Sequence, residues 1–373
     1  MSEAVELTTP VETRKPWAVL RDVLIAIGVF TLLWFGLRLL RDPETFAGMG
    51  DLVGKLAQAM LALAIGIAGV WAVFIVVNTL VEHLPARAAE LVRPWVFVLP
   101  ALAILGVYLV YPAIRTIGQS FTEVPEGAGP LTNYTNAFTD PEVQIALRNN
   151  LIWLLVTPLA AVAIGLGFAA LADRVKRESL AKTFIFLPLA ISFVGASVIW
   201  GYMYAWRVPG TNQVGLINAI IQALGGEPVA FMQVPTLNTF AMIVIMIWLQ
   251  VGFAMVILSA AIKGVPVELT EAARIDGASE TQAFFKILLP SIWGSVITVF
   301  TTIAIGVLKV FDIVYIMTSG AFDSTVVAMR MIEEMFRFRN FGQATTMAVL
   351  LFIAVVPIMI INVRNLRKQG LGQ

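Results

Sequence analysis

Eight runs of about twenty predominantly apolar residues follow one another along this chain, near 19–40, 56–80, 94–117, 149–172, 182–205, 237–262, 291–313 and 344–363. Wound as a helix, a run of that length crosses the ~30 Å of hydrocarbon in a bilayer. In lipid, each helix must also pair its own backbone N–H and C=O groups. An all-α polytopic membrane protein of eight spans is therefore expected. The composition agrees: with 59% hydrophobic residues, 13% charged residues and a mean hydropathy of +0.86, a water-soluble domain is excluded. The first run, Trp17 to Leu40, is too long for a secretory signal and lacks a small-residue cleavage site before the next charged stretch, so it reads as a retained span.

Basic residues assign sides. With the N-terminus inside, the cytoplasmic segments hold Arg14, Lys15, Arg93, Arg177, Lys182, Lys263, Arg274, Lys286, Arg364 and Arg367, whereas 121–147 has no Lys or Arg and 207–236 has only Arg207. DRVKRES, Asp173 to Ser179, is the most decisive single loop. The exception is 321–342, placed outside yet carrying Arg330, Arg337 and Arg339, partly offset by Glu333 and Glu334. The same reading places both termini in the cytoplasm. Net charge is near zero, 25 basic against 24 acidic residues, and no nucleic-acid partner is expected. There is no cysteine, which excludes disulfides, thiol catalysis and Cys-ligated metals. The single His83 lies in a short polar loop and reads as solvated. No GxxxxGK[ST] occurs, so no cofactor is expected on this chain and any ATP chemistry belongs to another.

The polar stretch between the sixth and seventh runs, VPVELTEAARIDGASETQAFFKILLP (Val265 to Pro290), carries the densest set of local signals. Pro266 suits the first position of a helix, and Glu268 and Glu271 favour its positive end. Gly277 stands where the helix stops with φ > 0, and Ser279 with Gln282 forms a capping box that starts a second helix. Leu269, Ala272 and Ala273 share a face, and the small alanines allow close approach of another surface. Two short helices joined by a tight corner are predicted.

The fixed spacing of Glu271-Ala272-Ala273, Gly277, Ile287 and Leu289-Pro290 resembles, without a gap, the EAA loop of the permease subunits of binding-protein-dependent ABC importers. WLQVGFAM (Trp248 to Met255), Phe311-Asp312, Asn133-Tyr134 and the opening at Leu91 to Phe121 are similar to the carbohydrate-importer branch, and the resemblance spans roughly Trp95 to the C-terminus. It implies a six-helix permease core at 91–373, preceded by an N-terminal extension of two helices at 1–90. It further implies a bacterial inner-membrane location and passage of a sugar, an oligosaccharide or α-glucoside. The implied partners are two ATP-binding subunits holding ATP and Mg, a second permease subunit that is a different chain, and an extracytoplasmic solute-binding protein. Glu271, Ala272, Ala273, Arg274, Asp276 and Gly277 are then the coupling residues, with Ala273 against the ATPase and Gly277 setting the corner. One departure stands out: the outer segment after the third run is about thirty residues, where maltose-type permeases have a much larger insertion.

A permease needs a path. Polar groups within spans are costly and therefore candidates. They are Gln250 and Trp248 in WLQVGF, Asn149 and Asn150 at the head of the fourth run, and Lys309 with Asp312. Lys309 and Asp312, three apart, are expected to pair on one helix face, as a packing bridge or as a substrate contact. Trp200, Tyr202, Tyr204 and Trp206 could give aromatic planes for a sugar, but near a span end they read first as an interface belt. Gly165 and Gly167 read as close-packing points. Of two amphipathic stretches, GLINAIIQALGG is expected along the outer membrane face and 322–341 as a re-entrant or surface helix. Pro100 and Pro112 are expected to pack against other spans. The same architecture could carry a polyol, glycerol phosphate or another small solute. An ion-driven carrier is disfavoured by the scarcity of mid-span carboxylates and by the absence of an inverted repeat.

Overall fold

The computed structural model describes residues 16–42, 46, 48, 50–81, 85–172 and 177–370, less the side chains of some of them. Arg14, Lys15, His83 and most of DRVKRES (173–176) lie outside the described residues. Those that are described form helices and no strand, in two compact units, Met1–Ala113 and Ile114–Gln373.

In the first unit, α1 (Pro16–Arg41) and α2 (Asp51–Val81) run antiparallel, with Gly36 against Ile65 and Gly69 against Leu33. Helix α3 (Ala86–Leu105) joins them through an edge-to-face contact of Phe74 and Phe97 at 4.8 Å. Leu32, Trp34, Leu63 and Trp71 are all exposed, as befits helices that are apolar all round in lipid. A π-helical turn, Gly106–Val110, then carries the chain into α4 (Tyr111–Thr122). Pro112 is exposed rather than packed against another span. The π-turn immediately before it is the kind of local adjustment by which a membrane helix accommodates the N–H that proline lacks.

The second unit is built on α6 (Pro141–Ala172) and α10 (Leu237–Lys263), which lie along each other. Gly165 makes that approach possible: a Cβ there would stand 2.6 Å from the Ala254 Cβ and 3.0 Å from the Met255 nitrogen. Gly167 has no neighbour within 4 Å and plays no such part. Before α6 comes the short α5 (Thr132–Thr139). After it, α7 (Glu178–Phe186) and a 3₁₀ turn (Leu187–Ala190) bend by 100° into α8 (Phe193–Met203), whose first turn Ser192 caps by accepting from the Gly195 N–H. Gly252 of α10 receives the α7 backbone, since a Cβ there would lie 2.5 Å from the Ile185 carbonyl oxygen. The surface helix expected in GLINAIIQALGG is α9 (Leu216–Ala223), and Gly225 follows it at φ +81°.

Beyond α10 come α11 (Val267–Ile275), α12 (Glu280–Ala283), a π-turn (Phe284–Leu288) and α13 (Leu289–Ser291), bent by 69° against α14 (Trp293–Leu308). The run 291–313 is not one span: the helix stops at Leu308 and restarts as α15 (Asp312–Met317). Then α16 (Val327–Ile332) passes into a π-turn (Glu333–Arg337), and α17 (Phe341–Gly370) ends the described chain. Among the described residues five helices are long and apolar enough to cross a membrane, or up to seven if each bent pair counts as one span. The first expected run is helical, as α1.

Two polar arrangements brace this unit. Segment 318–326 has positive φ at Ser319, Gly320, Phe322 and Asp323, so it cannot pair its own backbone as a helix would. Buried asparagines do so instead. Asn149 Nδ2 donates to the carbonyls of Asp323 (2.7 Å) and Thr325 (2.8 Å), and Asn238 Nδ2 donates to that of Phe322 (2.7 Å). The second arrangement surrounds Arg330. Its side chain, 12% exposed, lies within 3.1–3.5 Å of Asp140, Glu142, Glu333 and Glu334, and Arg337 joins Glu333 at 3.5 Å. Burial pushes the Glu334 carboxyl above its ordinary range, against the pull of Arg330. The charge of Arg330, counted above as an exception to the loop rule, is thus met by Glu333 and Glu334 of its own segment and by Asp140 and Glu142 at the start of α6.

Candidate coupling surface and transport path

The 265–290 stretch folds as its local signals predict. Pro266 is the N-cap of α11, one position earlier than expected. Gly277 has φ +82°. Its N–H donates to the Arg274 carbonyl (3.0 Å), while that of Ala278 donates to the Ala273 carbonyl (2.9 Å). This crossed pair closes a helix on a left-handed residue. The capping box on α12 is complete: Ser279 Oγ accepts from the Gln282 N–H and Gln282 Oε1 accepts from the Ser279 N–H. Arg274 Nε reaches Glu280 Oε1 at 2.8 Å, so this residue ties the two helices together. Glu271, Ala272 and Asp276 are exposed. Ala273 is not: it is 8% exposed, and Ala283 of α12 is also buried. The outward surface is therefore made by Ala272 and by Ile275, which is 86% exposed and which composition and spacing did not single out. At the base of the loop, Glu178 of α7 binds Lys182 and Lys263, both at 2.5 Å.

The path candidates separate into two groups. Asn150 is buried, its Nδ2 donating to the Leu308 carbonyl (3.2 Å) and its Oδ1 accepting from the Val327 N–H (2.8 Å); both ends of its amide serve the scaffold. Lys309 and Asp312 form no ion pair with each other, because the helix break falls between them and removes the one-turn geometry the pairing needed. Lys309 is exposed and borders an apolar hollow of about 490 Å³ with Phe311, Met331 and Phe352. Gln250 has only a long contact to Met246 Sδ (3.9 Å). Trp248 is half-buried and meets Trp200 edge-on at 5.9 Å.

Residues 146–368 match the family described as "Binding-protein-dependent transport system inner membrane component". The chain belongs to this family of importer permeases. It is 49% identical over 295 residues (77% of this chain, 86% of the relative) to the alpha-glucoside transport system permease protein AglF of Rhizobium meliloti (strain 1021). It is likewise 49% identical over 274 residues (73% and 98%) to the osmoprotective compounds uptake permease protein GgtC of Synechocystis sp.. The fold is also that of a chain in a bacterial ABC transporter for the import of alginate, with a TM-score of 0.64, 20% identity, and coverage of 75% of this chain and 99% of that one.

Two features of this permease escaped sequence reasoning. Ile275 drew no notice in the sequence, and only the course of the helix leaves it 86% exposed. The use of Asn149, Asn150 and Asn238 as backbone clamps had a faint signal in the small and turn-forming residues of TSGAFDS (Thr318 to Ser324), between the last two apolar runs.

Proposed function

We propose that this multi-pass inner-membrane permease forms half of an import pathway for an uncharged carbohydrate, an α-glucoside above all, and hydrolyses nothing itself. Two ATPase subunits on the cytoplasmic side would close on ATP, a second permease of different sequence would complete the pathway, and a binding protein would deliver the solute outside. Both termini would then lie in the cytoplasm. The carrying observation is the exposed corner at 265–290. Ile275 (86% exposed), Val267 (62%) and Phe285 (59%) stand on a polar loop outside the long spans, where unpaired apolar surface calls for a protein partner. Closure of two nucleotide sites can bias the access equilibrium by the roughly 5.5 kcal/mol needed to move it from one side to the other. Trp248, Gln250, Lys309 and Asp312 are the path side chains; Asn150 serves the scaffold at Leu308 and Val327.

The test uses the absence of native cysteine. Ile275→Cys is paired with a single cysteine in the cleft of the ATPase subunit and oxidised in membranes with and without ATP. A nucleotide-dependent disulfide supports the coupling role, and its absence in an assembly that still transports refutes it. A second reading, uptake of a polyol-like osmolyte, draws on the equal identity to the osmoprotective-compound permease. Uptake of labelled sucrose against labelled sorbitol decides between them.

A further inference from the structure

An open hollow of about 480 Å³, which none of the path residues lines, lies between the chain from α8 into α10 and Ile316 and Met317 of α15. That volume lies within the ~300–1,000 Å³ of small-molecule sites. Its walls come from Gly201 and Tyr202 on α8, from Tyr204 and Trp206 just after it, and from Phe231 and Gln233 before α10. Tyr204 Oη donates to the Ala241 carbonyl at 3.0 Å, which pins the hollow to the start of α10. From Ala241 to Lys263, beside the coupling loop, α10 rises roughly 33 Å at 1.5 Å per residue, about the thickness of the hydrocarbon layer. The hollow is therefore at the membrane face opposite the coupling loop.

Its rim is built. Asn218 donates to the carbonyls of Ala205 (3.1 Å) and Val229 (3.0 Å) and accepts from the Val229 N–H (2.8 Å), so one buried amide fixes the segments before and after α9. No charged side chain lines the hollow. The Tyr202 hydroxyl, the Trp206 indole N–H and the Gln233 side-chain amide have no hydrogen-bond partner within the described chain. A continuous series of rings leads inward from it: Phe231 to Tyr204 at 5.2 Å, Tyr204 to Trp200 at 5.3 Å, and Trp200 to Trp248 at 5.9 Å. Only Tyr202, 76% exposed, projects as an interface-belt residue would. Trp206 and Phe231 are half-buried around the cavity, and Tyr204 is buried.

We propose that this hollow is a receiving subsite for one neutral sugar ring on its way to Trp248. An aromatic wall takes the C–H face of a pyranose, and neutral amide, hydroxyl and indole donors take its hydroxyls. The lack of any cation argues against a phosphorylated solute. The inference rests on the carbohydrate reading above.

The experiment uses the complete transporter in proteoliposomes, with cysteine-free partner subunits and its binding protein. Gln233→Cys is modified with N-ethylmaleimide in the presence of sucrose, maltose, sorbitol or iso-osmotic sodium chloride. Uptake KM and kcat are measured for Gln233→Ala and for Gly201→Leu. The latter fills the hollow from a position where a Cβ meets nothing within 4 Å, so the backbone need not move. Expected are slower modification with an α-glucoside but not with sorbitol or salt, and a KM raised about two- to tenfold at unchanged kcat by loss of the amide. If the wild-type assembly transports the sugars but neither variant shifts KM and no sugar protects the cysteine, the subsite is overturned and the carbohydrate reading stands. If the wild type takes up sorbitol and no sugar, that reading falls and the subsite with it.

Discussion

Gly277 offers the sharpest test of how motion enters this permease. A side chain there would meet no atom of its own chain within 4 Å, and φ is +82°, so its cost within the chain is conformational alone. That cost is about 1 kcal/mol for alanine, rising toward about 3 kcal/mol for a β-branched residue, and is small for asparagine, which tolerates the left-handed region. Opposing it are the crossed bonds to Arg274 and Ala273, the capping box on Ser279 and the exposed Arg274–Glu280 pair. At about 1 kcal/mol net for each bond or cap and less for the exposed pair, the corner has a margin of roughly 3–4 kcal/mol. Gly277→Ala should leave it formed and transport only slightly affected. Gly277→Val should consume most of the margin, loosening the corner enough to separate ATP hydrolysis from uptake, and Gly277→Asn should behave as wild type. Solute uptake and phosphate release, measured on the same proteoliposomes, give the ratio that matters. A wild-type ratio for the valine variant refutes the corner. An asparagine variant as impaired as valine means that bulk against the partner, not backbone geometry, is what counts.

Four further outcomes follow from the packing. Asn150→Ala leaves the Leu308 carbonyl and the Val327 N–H unpaired, at a cost of about 1–3 kcal/mol, so thermal melting in detergent should fall while uptake KM stays unchanged. Arg330→Met strands four carboxylates around a side chain only 12% exposed, and about 3–5 kcal/mol of destabilisation should appear in the same assay. Because the Glu334 pKa is raised on folding, this group favours the folded state below its ordinary range of about 4.3 and loses that contribution as pH rises through the raised value. Melting temperature should therefore gain on acidification from neutral pH in wild type, and that component should vanish in Glu334→Gln. Gly165→Ala presses on α10 and should cost about 1–3 kcal/mol, whereas Gly167→Ala should be silent in thermal melting.

What the sequence made legible was local. Gly277, the Ser279 capping box and the termination of the helix after Ile275 depend on interactions within five residues, so type and spacing suffice to read them. The break between Leu308 and Asp312 was not legible, because Val310 and Phe311 look as helical as their neighbours and the interruption is set by what α6 offers from 158 residues away. Ala273 illustrates the same limit on a smaller scale. Its small size could be read from the sequence, but its burial within the chain could not, because that depends on which way the corner turns.

The asparagines show how the cost argument for polar groups in lipid has to be refined. An amide in a span must be compensated, and a solute is only one way to do it; a neighbouring backbone that cannot be helical is another. Segment 318–326, with four positive-φ residues, leaves carbonyls that a carboxamide can reach in pairs, and Asn149 and Asn238 supply those donors, while Asn150 secures the two helix ends at Leu308 and Val327. Once those amides are assigned, the polar side chains still lacking a strong partner are the better guide to the path. Gln250, held only by a long contact to a thioether, and Lys309, exposed at the break, both meet that condition. The clamp and this candidate adjoin: Asn150 binds the carbonyl immediately before Lys309, so the amide that secures the helix end is spent on the scaffold while the cation beside it is not.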